Sequence, residues 1–166
     1  MHFANLVIIK GKGDIGVEFL KAIGPHKDDG GFWDGYRIGG RWTGLFDGYD
    51  PETDERNIEV CDLCQGTGKR CDKAGPAYSC NGCEGKGRRV KSACDWVLYE
   101  GDIIPIEKLT EEQLEKFYRV VRPDGSIEFE LWTPWISGGV VEAKRLLEWL
   151  KTWFPRHLCV VVDTHE

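Results

Sequence analysis

A chain of 166 residues that is 41% apolar and 30% charged has the makeup of an ordinary folded domain, which excludes global disorder. A formal net charge of −6 argues against broad, non-specific attraction to nucleic acid, and no run of ~18 apolar residues exists to cross a bilayer. Seven cysteines, an odd number with four at metal-ligand spacing, fit a reducing compartment better than a secreted disulfide framework.

Phe3 to Ile9 is short, apolar and rich in branched residues, which predicts a buried strand. After the turn at Gly11 and Gly13, Asp14 is placed to cap a helix reaching about Ile23. Ile15, Phe19, Leu20 and Ile23 would share its inner face, and Gly24-Pro25 would end it. His26 to Asp54 reads as an aromatic, glycine-rich loop. Beyond a cysteine-rich segment, Trp96 to Tyr99 is predicted as a strand, and Thr110-Glu111-Glu112-Gln113 is a capping box opening a short helix to about Phe117. Tyr118–Val121 and Ser126–Trp132, joined by Arg122-Pro123-Asp124-Gly125, predict a hairpin. Gly138 to Phe154 is the clearest helix, with Val141, Leu146, Leu147, Leu150 and Trp153 near helical period, and His157 to Thr164 predicts a central strand. With the cysteine segment set aside, the order approximates β-α-β-β-α-β. That is an α+β, ferredoxin-like sandwich with helices on one face, formed by residues 1–57 and 95–166 around an insertion at 58–94.

The insertion carries one motif twice, Cys61-Asp62-Leu63-Cys64-Gln65-Gly66-Thr67-Gly68 and Cys80-Asn81-Gly82-Cys83-Glu84-Gly85-Lys86-Gly87. Two CxxC turns can aim four thiolates at one point, and the separation between the pairs falls in the range of four-thiolate zinc sites. Cys61, Cys64, Cys80 and Cys83 are therefore expected to hold one structural zinc ion, with no open position for catalysis. The trailing glycines would bend the chain and leave amides to hydrogen-bond the sulfurs. Cys71 is a weaker alternative ligand, and Cys159 reads as a buried hydrophobe. The repeat resembles the cysteine-rich region of DnaJ-type chaperones, over residues 61–87 only. Those proteins carry four such motifs and two zinc ions, whereas two motifs here supply one site, and no His-Pro-Asp of a J-domain occurs. The resemblance implies zinc binding by these four cysteines and a small zinc hairpin that contacts other macromolecules, but not chaperone activity.

Trp33-Asp34-Gly35-Tyr36-Arg37-Ile38-Gly39-Gly40-Arg41-Trp42-Thr43-Gly44 is the second distinctive stretch. It resembles a WDxYxxGGRWxG signature of uncharacterised proteins of bacteriophages and related mobile elements. Pro123-Asp124-Gly125 and the closing Val161-Val162-Asp163-Thr164-His165 match further pieces of that pattern. Physically, Trp33, Tyr36, Arg41 and Trp42 form either a binding platform for a base or a side chain, or core packing with Arg41 paired to Asp34 or Asp163. Asp163 and His165 share one face of the last strand and, with His2, His26 or Asp34, could form an acid–base or metal site. Lys86, Arg88, Arg89 and Lys91 cluster beside the second motif as candidate phosphate contacts, although a four-thiolate zinc would cancel their small charge excess.

These features predict a non-enzymatic, zinc-binding accessory protein acting in the bacterial host cytoplasm. Its expected partner is a host protein, with inhibition of a host defence system as one instance implied by the lineage. A nucleic-acid-binding module using the basic hairpin is the second expectation. An enzyme acting on a nucleotide or nucleic acid, with Arg41, Asp163 and His165 in its site, is the third.

Overall fold

The computed structural model describes residues 1–27, 33–72, 77–130 and 143–165. The chain divides into two compact units, one formed by Met1–Tyr49 with Leu98–Glu166 and the other by Asp50–Val97. In chain order the elements are β1 (His2–Lys10), α1 (Ile15–Lys27), β2 (Gly35–Ile38), β3 (Ile58–Val60), β4 (Arg88–Val90), β5 (Ile103–Pro105), α2 (Glu111–Leu114), β6 (Arg119–Val121), β7 (Ile127–Glu130), α3 (Ala143–Trp153) and β8 (His157–His165). Among the described residues, no helix is long and apolar enough to cross a membrane.

The first unit is an α+β structure built on a mixed sheet of order β2-β8-β1-β6-β7, with β5 also paired to β8. β1 and β8 pair antiparallel along their whole lengths, His2 opposite His165 and Lys10 opposite His157. β1 runs parallel to β6, and β6 turns back antiparallel into β7. Residues on the two faces of each central strand enter different cores. Leu6, Ile8, Val120, Cys159 and Val161 pack with Leu114, Leu146 and Leu150 of α2 and α3. Val7, Ile9, Val121, Val160 and Val162 pack with Phe19, Ala22 and Ile23 of α1. Helices thus cover both faces, which is why β1 and β8 read as continuous apolar runs rather than alternating ones.

This arrangement corrects the ferredoxin-like expectation. In that sandwich the second strand of the hairpin lies beside the first strand of the chain, and both helices share a face. Here the first hairpin strand, β6, takes the inner place beside β1, with Val120 and Val121 both fully buried toward opposite cores.

Local expectations fared unevenly. Asp14 does open α1, its Oδ1 accepting the Val17 N–H at 3.0 Å, and both hydrogen bonds of the Thr110–Gln113 capping box form. α1 runs past Gly24-Pro25 to Lys27, since buried His26 is tied through Nε2 to the Gly125 carbonyl at 2.7 Å and holds the final turn in place. Its inner face is Phe19, Ala22, Ile23 and His26, while Ile15 and Leu20 are exposed. Trp96–Tyr99 is not a strand, and the strand of that region is β5. Trp153 lies outward at 66% exposure despite its helical spacing, while Leu146 and Leu150 carry the burial of α3. Residues 131, 132 and 138–142 of the predicted strand and helix lie outside the described residues.

Candidate functional site

The cysteine unit is built around the antiparallel pair β3–β4. From this base two loops repeat one another almost bond for bond. Gly66 N–H donates to the Cys61 carbonyl at 3.3 Å and Gly85 N–H to that of Cys80 at 3.1 Å. Gly68 N–H donates to Cys64 Sγ at 3.3 Å, and Gly87 N–H to Cys83 Sγ at 3.1 Å. The loops also interlock, Cys61 N–H donating to the Gly87 carbonyl and Cys80 N–H to the Gly68 carbonyl. Glycine is required where they cross. Gly68 and Gly87 have φ of 70° and 75°, and a Cβ on either would collide with the carbonyl of Gly85 or Gly66 in the opposite loop.

The result is a buried cluster in which the sulfurs of Cys61, Cys64, Cys80 and Cys83 all lie within 4.8 Å of one another, so that the four could hold a metal ion. Cys61–Cys80 and Cys64–Cys83 sulfur separations are 3.9 and 3.7 Å, too long for disulfides. Burial pushes the Cys61 thiol up to about 11. For Cys64 burial acts in the same direction, but the Gly68 amide and the neighbouring sulfurs outweigh it and bring the thiol down to about 7. Cys71 and Cys94 are exposed and outside the cluster, and Cys159 is buried in the sheet.

The basic residues beside the second motif meet acidic or carbonyl partners. Arg88 pairs with Glu55 at 2.5 Å, and Arg89 with Glu59 at 2.8 Å and Asp62 at 3.0 Å. Lys86 stands 3.8 Å from Glu84, and Lys91 donates to the Arg56 carbonyl. Among the described residues, the exposed large apolar side chains of this unit are Val60, Leu63 and Tyr78.

In the other unit the aromatic stretch divides into a buried part and a displayed part. Trp33 is a core residue at 5% exposure, its ring 5.0 Å from that of His26, so it is unavailable as a surface anchor. Tyr36 sits on β2, at the sheet edge the sequence did not reveal, with its ring 6.0 Å from Phe19. Gly39 to Gly44 then wraps around two buried carboxylates. Asp163 Oδ2 accepts the Arg41 N–H at 3.0 Å, and Asp102 Oδ1 accepts the Gly44 N–H at 2.8 Å. A Cβ at Gly40 would come within 2.6 Å of Asp163, and one at Gly39 would strike Asp102. Asp163 therefore receives the main chain of Arg41, not its guanidinium. Arg41 and Trp42 are turned outward, and Trp42 at 36% exposure lines two adjoining hollows of about 610 and 360 Å³.

Asp102 carried no signal in the sequence, because nothing in Glu100-Gly101-Asp102 marks it as buried. Burial pushes its carboxyl up to about 6, against the Gly44 amide and Thr43 hydroxyl, which pull it down. Asp163 also accepts from His2, at 2.9 Å between Oδ1 and Nδ1. His165 stands beside them, its ring 5.1 Å from that of His2 and its Nδ1 3.5 Å from Asp34. His26 belongs instead to the C-terminal end of α1 and the Gly125 turn.

Comparison of the chain with protein-family models, with curated proteins and with solved structures returned no match.

Proposed function

We propose that this protein is a zinc-stabilised binding protein, one structural zinc being held by Cys61, Cys64, Cys80 and Cys83. The observation that carries the reading is the doubled loop, with four buried sulfurs converging and an amide donated to one sulfur of each pair. A tetrahedral zinc with arms near ~2.3 Å has sulfur–sulfur edges of about 3.8 Å, close to the 3.7 and 3.9 Å separations. An all-thiolate donor set favours zinc over magnesium or calcium, and four protein ligands leave no vacancy for a substrate. The ion's task is to hold the loops, and the loops' task is to present Leu63, Val60 and Tyr78.

The partner in this reading is a protein of a bacterial host, and the chain an accessory protein of phage or mobile-element origin working in the host cytoplasm. The lineage rests on the WDxYxxGGRWxG resemblance alone, and defence inhibition is one form the activity would take. A protein partner is favoured over nucleic acid because Arg88 and Arg89 are already in ion pairs with Glu55, Glu59 and Asp62.

Two measurements test this. Elemental analysis of the reduced protein should find one zinc per chain. Immobilised zinc-loaded protein should then retain a bacterial protein in both low and high salt, and a Leu63→Ser, Tyr78→Ser variant of equal zinc content should lose it. Retention that collapses steeply with salt would instead identify a nucleic-acid binder.

A further inference from the structure

The paired ends of β1 and β8 place two histidines side by side, each with a carboxylate at Nδ1. His2 meets Asp163 at 2.9 Å and His165 meets Asp34 at 3.5 Å. The strand register brings this about, since His2 lies directly opposite His165 and Ala4 opposite Asp163, which puts both imidazoles and Asp163 on one face. Asp163 is nearly buried, and its other oxygen is held by the Arg41 amide. It is thus fixed as an acceptor and orients His2 with Nδ1 inward. Nε2 of His2 makes no hydrogen bond among the described residues, and His2 lines the hollow of about 360 Å³ shared with Phe3, Trp42, Glu115, Lys116 and Tyr118.

We infer that this end of the sheet is an acid–base site for a small ribonucleotide phosphodiester, a capacity independent of the zinc unit and of the binding function proposed above. The hollow and its neighbour share Trp42 and Lys116, and Arg41 lines the second. A half-exposed indole offers a stacking face for a base, and Arg41 beside it suits a phosphate, with Lys116, which stands 3.7 Å from Glu112, as a second cation. Pocket size and the net charge of −6 favour a dinucleotide-sized substrate over a long polymer.

A carboxylate on Nδ1 leaves the neutral imidazole with a lone pair on Nε2, the arrangement of a general base. His2 Nε2 takes the proton of a ribose 2′-hydroxyl, and the 2′-oxygen bonds to phosphorus as the bond from phosphorus to the 5′-oxygen breaks. The departing 5′-oxygen takes a proton from the His165 imidazolium. The products are a 2′,3′-cyclic phosphate and a 5′-hydroxyl, and no water, metal or oxidant is consumed. Asp163 acts as a positioning residue. The charged groups around the pair are Asp163 and Asp34 at the histidines and Arg37, which lies opposite Asp163 in the register of β2 with β8. Across the hollow that His2 lines, with the His165 ring 5.1 Å from His2, stand Glu115 and Lys116, and Glu112 is 3.7 Å from Lys116.

The test uses full-length, zinc-loaded protein and dinucleoside monophosphates such as UpA, with the double His2→Ala, His165→Ala protein purified in parallel. Cleavage with a bell-shaped pH profile is expected, and each single variant should lose about 10²–10⁴-fold in kcat. A substrate with a 5′-thio leaving group, which departs without protonation, should restore His165→Ala and leave His2→Ala slow. Cleavage no faster than in the double variant, or cleavage of a 2′-deoxy substrate, would overturn the site. Failure of the thio substrate to restore His165→Ala would overturn the acid assigned to it. Partner retention by the His variants reads the binding function separately.

Discussion

Two carboxylates shape the aromatic loop, and the ionisation of Asp102 bears on stability. Its carboxyl is raised by burial to about 6 from an ordinary 3.8, so between those values the folded chain holds a proton that the unfolded chain has released. The contribution of this group therefore favours folding at low pH and is lost as pH rises through about 6. Asp102→Asn keeps an oxygen for the Gly44 amide and removes the buried charge. Relative to wild type, the variant should gain stability at pH 7.5 compared with pH 4.5 in urea denaturation. Parallel pH dependence in the two proteins would refute the assignment. Gly68 and Gly87 permit a second test at this scale. Alanine at either meets a positive φ, costing roughly 1–2 kcal/mol, and also a carbonyl of the facing loop. Each variant should bind zinc more weakly in competition with a chromophoric chelator, whereas alanine at Gly13, which has open space around it, should not.

Among the elements, the loop from Trp33 to Gly44 is half core and half display. Trp33 closes the α1 face of the sheet beside His26, while Trp42 is carried outward on the turn that Asp163 and Asp102 hold. Trp33→Ala should cost about 3–5 kcal/mol as a buried aromatic deletion, and Trp42→Ala less than ~1 kcal/mol as a surface change. Thermal melts of the two variants would separate them, and equal losses would contradict this division. The capping box and the β1 and β8 runs were legible in the sequence because their signals are local: a side chain three residues from its partner, or an apolar run of strand length. β2 was not legible, since Gly-Tyr-Arg-Ile is a strand only because the edge of β8 is there to pair with it. The end of α1 at Lys27 was not legible for a similar reason. His26 holds the turn through a carbonyl 99 residues away.

At the scale of the whole molecule, two compact units rest on different physics. The unit from Met1–Tyr49 and Leu98–Glu166 has two apolar cores on the two faces of its sheet. Among the described residues, the buried apolar cluster of the Asp50–Val97 unit consists of the four cysteines. Structural zinc in small peptides contributes about 10–16 kcal/mol, comparable with the ~5–15 kcal/mol net stability of a domain. Removing metal with a chelator should therefore erase hydrogen-exchange protection at Cys61, Gly68, Cys80 and Gly87 while amides of β1 and β8 stay protected. Loss of both together would show that one cooperative structure depends on the ion, and loss of neither would remove the metal from the account.

The sequence alone determined the four-cysteine cluster, because a CxxC turn sets its own geometry and two copies need only face each other. It also determined that Ala4–Ile9 and most of the last strand are buried, because runs of branched apolar residues have nowhere else to go. The tertiary structure alone decided which strand lies next to β1, which faces the helices cover, and that Asp102, Asp163 and His2 meet around the glycine loop. Those outcomes depend on contacts between residues some 60 to 160 positions apart, and no local pattern encodes the distance between groups that only pairing in a sheet brings together.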